Sequence, residues 1–81
     1  MLYDVVDARH VSGYLVWLQF RDGSSGEIDL EPFLTGPVFE PLLDPAVFAT
    51  FSVHPEFCTL VWQNGADLAP EFLHDNIRVT A

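Results

Sequence analysis

Three glycine-containing pairs constrain this chain more than anything else in it: Ser12-Gly13, Asp22-Gly23 and Asn64-Gly65. Each interrupts residues of strand-forming type. Glycine accepts the positive φ that tight turns demand, and Asp-Gly and Asn-Gly are strong short-range hairpin signals. Residues 3–11, 14–20 and 26–30 therefore read as three strands of an antiparallel meander. In the third, Ile28 and Leu30 alternate with Glu27 and Asp29, the period-2 pattern of a strand with one buried face. Residues 50–53 predict a further short strand, and His54-Pro55-Glu56 a break. Residues 58–62 and 66–68 predict a last hairpin, closed by a two-residue turn within Gln63-Asn64-Gly65-Ala66.

Proline governs the middle. Pro41 and Pro45 forbid a long helix through residues 38–48, because proline lacks the N–H and clashes with the preceding turn. Short helical pieces remain: one at residues 30–33 with Pro32 near its start, and one from Asp44-Pro45 to residue 48 or 49, an N-cap followed by proline at the first helical position. Phe33, Leu42 and Phe48 are among the apolar side chains this segment brings to cover the sheet. Pro70 opens a closing helix of barely two turns, with Glu71 suited to its positive end. The expected fold is α+β: a small, mainly antiparallel sheet, a three-stranded meander plus a C-terminal hairpin, covered by short helices. With no repeat or linker, residues 1–81 form a single domain.

Charge sets the second constraint. The 81 residues hold 12 Asp and Glu against three arginines, Arg9, Arg21 and Arg78, for a formal net charge of −9. Phosphate recognition needs clustered cations, so direct nucleic-acid binding is excluded as an expectation, as is docking on an anionic membrane. No apolar run approaches the roughly 18 residues of a membrane span, and no basic segment precedes an apolar one as in a leader. A lone cysteine, Cys58, builds neither a disulfide framework nor a thiolate metal cage. A soluble, acidic, cytoplasmic protein is expected.

Candidate sites are few. Asp67, Glu71, His74 and Asp75 form the most enzyme-like cluster, since Glu71 and His74 are i, i+3 on a helix, and His54 and Glu56 stand as further donors. A solvated helix face accounts for the same spacing, and Asp67 reads better as the cap of the helix that starts near Pro70. Cys58 reads as an inert strand residue on one face with Leu60 and Trp62, with His54 and His10 as its conceivable partners. Trp62 reads as core. In the second strand Val16, Leu18 and Phe20 take the inner face, which puts Leu15 and Trp17 on the other. Two readings are open there, an interface or a second buried face. Asp4, Asp7, Glu27, Asp29, Glu31 and Glu40 come from neighbouring segments as a poorly neutralised acidic surface. Leu15, Trp17, Glu27 and Asp29 are the interaction candidates, an apolar centre with a carboxylate rim. No catalytic residue, metal site or cofactor is assigned.

Three stretches carry a resemblance: Phe20-x-Asp22-Gly23-x-x-Gly26-x-Ile28-Asp29-Leu30; Gly36-Pro37-Val38-Phe39-x-Pro41-Leu42-x-Asp44-Pro45-x-x-Phe48; and Trp62-x-Asn64-Gly65-Ala66-Asp67-Leu68-Ala69-Pro70-Glu71-x-Leu73. Together they resemble the bacterial domain-of-unknown-function 2442 family over essentially the whole chain. Gln63 stands where the family commonly has proline, and His74 where it has an aromatic residue, often tyrosine. The resemblance implies a small α+β domain with no assigned catalytic activity, found alone or joined to a helix-turn-helix DNA-binding segment. A chain ending at Ala81 is expected to lack that segment. Free-standing relatives are often encoded beside a second small protein, as in toxin–antitoxin pairs. The leading expectation is a non-enzymatic interaction module, an acidic antitoxin-like or regulatory partner of a small basic protein encoded nearby. The alternative is a self-associating, homodimeric or sensor module. A small metal-dependent enzyme built on Asp67, Glu71 and His74 ranks last.

Overall fold

The alternation in residues 14–20 and 26–30 builds the sheet. In the computed structural model, which describes residues 3–79, β1 (Val5–Ser12), β2 (Leu15–Phe20) and β3 (Ser25–Asp29) form the antiparallel meander. Every second residue of β2 is buried, namely Val16, Leu18 and Phe20, and Gly26 and Ile28 continue that inner face on β3. After β3 come two 3-10 turns, Glu31–Phe33 and Glu40–Leu43, and a single turn of helix, α1 (Pro45–Phe48). Proline occupies one of the first two positions in each, where a missing N–H goes unnoticed. Asp44 caps α1 as expected, accepting from the Ala46 N–H at 3.0 Å. The chain continues through β4 (Ser52–Val53), β5 (Leu60–Val61), α2 (Pro70–Asn76) and β6 (Arg78–Val79).

Leu34, Leu42, Phe48 and Leu73 from these connecting and helical segments meet the inner sheet face, and Leu60, Trp62 and Ala66 complete the core. Trp62 is core as expected. Its ring Nε1–H donates to the Phe48 carbonyl at 2.9 Å, so its one polar atom is satisfied where water is excluded. Thr59, a buried polar residue of the core, donates its hydroxyl proton to the Leu68 carbonyl and ties β5 to the approach of α2.

The α+β architecture agrees with the expectation, with five local departures. The four-stranded sheet runs β1-β2-β3-β6, so the chain end returns to pair antiparallel with β3, a strand not read from the sequence. The two-strand hairpin is β4–β5, one element earlier than residues 58–62 with 66–68. What was read as its return strand is a single bridge, Val61 to Asp67. Cys58 does not lie in a strand: it has φ of +53° and its N–H donates to the His54 carbonyl at 2.8 Å, closing the turn that begins at His54. The Asn64-Gly65 turn is one residue longer than expected. Trp62 N–H bonds to the Ala66 carbonyl and Gly65 N–H to the Trp62 carbonyl, a three-residue loop with Gly65 at φ of +90°. Asp22-Gly23 closes the same way between Phe20 and Ser24.

Candidate functional site

Because the buried helical side chains all join the inner face, the outer sheet face is left to solvent. Register puts Arg9, Trp17, Glu27 and Arg78 in one row across four strands, and Ser12, Leu15 and Asp29 in the next. The four interaction candidates therefore do stand together. Trp17 is half-buried, but what covers it is local: the Arg9 guanidinium carbon lies 5.3 Å from its ring centroid. Beside it an open groove of about 440 Å³ runs between Leu15, Glu27, Asp29, Phe33 and Arg78. Asp29 is already engaged, accepting from the Glu31 N–H at 3.0 Å at the start of the first 3-10 turn.

The expected acidic sheet surface is corrected by where the arginines go. Arg9 reaches Asp7 at 3.5 Å, Arg21 reaches Asp4 at 3.4 Å, and Arg78 stands opposite Glu27 in the register. All three cations serve the sheet and its turns. Glu31 and Glu40 are not part of that face, since they open the two 3-10 turns. No Lys or Arg occurs between Arg21 and Arg78, so Glu40, Glu56, Asp67, Glu71 and Asp75 share a stretch of the chain with no fixed positive charge of its own. That segregation was legible in the positions of the arginines; which face they serve was not.

The cluster of Asp67, Glu71 and His74 is not assembled. His74 turns to the β2–β3 turn, its Nε2 2.9 Å from Asp22 Oδ2, with its Nδ1 4.0 Å from Asp75 Oδ1. Its ring lies against Tyr3, at 4.3 Å between centroids, and edge-on to Phe20 at 5.0 Å. The Ser24 hydroxyl and N–H bonds, helped by His74, hold the Asp22 carboxyl below its ordinary value. His74 thus fastens α2 to the sheet. Asp67 does not cap α2: the cap residue is Ala69 with no side-chain bond, and the bridge to Val61 holds Asp67 two residues short of it. Among the described residues no three His, Cys, Asp or Glu side chains gather as a metal-binding group.

The Cys58 pairings are not formed either. Its Sγ lies 3.7 Å from the Glu56 carbonyl oxygen and 3.8 Å from that of Pro55. His10 Nε2 is bound to the Gly13 carbonyl at 2.8 Å. His54 Nδ1 accepts the N–H groups of Glu56 and Phe57, at 3.0 and 3.1 Å, which puts the proton of the neutral ring on Nε2. Sequence reasoning passed over Phe57. It is 62% exposed and stacks on His54 with centroids 4.3 Å apart and planes 17° from parallel. It lines a groove of about 230 Å³ with His54, Val61, Gly65 and Asp67. The only sequence signal was an aromatic residue directly after the His54-Pro55-Glu56 break.

The family model for proteins of unknown function designated DUF2442 matches residues 5–79. The chain belongs to the DUF2442 family. The match covers all three motif stretches, and the family description assigns no activity. Neither curated proteins nor solved structures give a match. Among the described residues, no helix is long and apolar enough to cross a membrane.

Proposed function

We propose that this DUF2442 domain is a non-enzymatic protein-interaction module, an acidic antitoxin-like or regulatory partner of a small basic protein. The observation that carries this reading is the segregation of charge. Every arginine sits on the sheet or its turns, while the segments between β3 and β6 combine carboxylates, with no Lys or Arg among them, with exposed apolar side chains at Val38, Leu43, Val47 and Phe57. Apolar contact area beside carboxylates of one sign suits a cationic partner, and the field would speed encounter and make it salt-sensitive. The open sheet face fits such a partner less well, because Arg9 and Arg78 are there to repel it.

The test is a pull-down from native lysate with the tagged domain at low and high salt, alongside a Glu56→Lys/Glu71→Lys variant and Trp17→Ala. A small basic protein should be held at low salt, released at high salt and lost by the charge-reversed variant, with Trp17→Ala retaining it. Absence of any basic protein, or retention indifferent to charge reversal, would overturn the reading. Self-association is the second reading, and the charge balance of the outer sheet face favours it: Arg9 and Arg78 beside Glu27 and Asp29 let two copies meet without net repulsion. A concentration-dependent dimer in light scattering that Trp17→Glu abolishes would support that second reading; a strict monomer would remove it.

A further inference from the structure

The geometry points to the groove between Phe57 and Asp67 as the seat of an arginine side chain presented by the basic partner. This deepens the reading above and rests on it for the source of the side chain. A guanidinium asks for a flat π surface, a carboxylate and an apolar channel for its methylene stem. The groove lined by His54, Phe57, Val61, Trp62, Gly65 and Asp67 supplies each of these.

One face of the Phe57 ring is taken by His54, and the residue as a whole remains 62% exposed. That ring is held in place before any partner arrives. The His54 Nδ1 accepts the Phe57 N–H itself, and the Cys58 N–H closes onto the His54 carbonyl. An aromatic residue fixed this way loses little freedom on binding, which is what makes exposed aromatics effective contacts. Val61 and Trp62 provide apolar wall, and Gly65, at φ of +90°, leaves open space where a side chain would project. Asp67 is exposed, and among the described residues no side-chain hydrogen bond or ion pair engages its carboxylate. The backbone bridge to Val61 fixes its position. With no Lys or Arg between Arg21 and Arg78 in the sequence, the groove's own segment supplies no competing cation.

The experiment is amide NMR on the full chain, titrated with the peptide acetyl-Gly-Gly-Arg-Gly-Gly-amide and with its citrulline counterpart, the neutral isostere of arginine. The arginine peptide should shift the amides of residues 54–57 and 65–67 in a saturable manner, and the citrulline peptide should not. Asp67→Asn and Phe57→Leu should each weaken the arginine peptide by about two- to fivefold, the size expected of one exposed ion pair or one exposed cation–π contact. Shifts spread across Glu40, Glu71 and the other carboxylates, equal response to citrulline, or indifference to Asp67→Asn would overturn the site. The two readings fail separately. A domain that retains no basic protein but binds the arginine peptide here keeps the site and loses the partner. One that retains a basic protein without any shift in this groove keeps the partner and loses the site.

Discussion

Trp62 shows how much one side chain settles. Its ring packs against Phe48, 5.8 Å between centroids, and against Phe51 at 6.2 Å, while its Nε1–H satisfies the Phe48 carbonyl. Phenylalanine at this position would keep most of the apolar contact and strand that carbonyl in the core. Trp62→Phe should therefore cost about 1–3 kcal/mol, the penalty of an unmade buried hydrogen bond. Urea unfolding followed by circular dichroism checks it: the midpoint should fall with little change in slope. His74 teaches the opposite lesson at the same scale. A helical Glu-x-x-His spacing looks like a donor pair, yet the ring spends its Nε2 on Asp22, a residue 52 positions away, and packs against Tyr3 and Phe20.

At the scale of the element, the two glycine loops do the same work in different places. Gly23 and Gly65 each take positive φ, and each closes a three-residue turn onto the residue before the loop. A Cβ at Gly65 would meet nothing within 4 Å, so the whole cost of Gly65→Ala lies in the backbone. That cost should be about 1–2 kcal/mol, or roughly 4–16 °C in melting temperature for a domain of this size. Gly65→Asn should lose less, because asparagine tolerates the left-handed region better than other side chains. Thermal melts of the two variants beside the parent decide it; equal losses would mean that the turn is not held at positive φ. The short helices depend on their prolines for where they begin and on Leu42, Phe48 and Leu73 for staying folded, since elements of this length have no stability of their own.

For the whole molecule, size and charge belong together. The radius of gyration is 11.7 Å. Charges are screened over roughly 30 Å at 0.01 M salt and about 8 Å at 0.15 M. In dilute buffer every carboxylate therefore feels most of the others, and a net charge of −9 opposes the compact state. The exposed pairs Arg9–Asp7 and Arg21–Asp4 are too weak to reverse this. The urea midpoint should rise as sodium chloride goes from about 0.01 to 0.15 M. A falling midpoint would show that those pairs outweigh the repulsion. The same field underlies the proposed attraction for a basic partner.

What the sequence determined by itself was local. Alternation chose the inner faces of β2 and β3, proline and Asp44 chose the starts of the short helices, and glycine pairs marked the turns. These choices follow from backbone preferences that act within a few residues of their cause. The tertiary structure decided everything that joins distant segments: β6 closing on β3, His74 reaching Asp22, and Asp67 bridged to Val61 and withheld from the helix it was expected to cap. It also decided which surface the three arginines serve, and that Phe57 stands out on a stacked histidine beside Asp67. Periodicity says which side of a strand is apolar but carries no information about which distant element will lie against it. In an 81-residue domain of short elements, most of the candidate binding surface is made of such distant meetings.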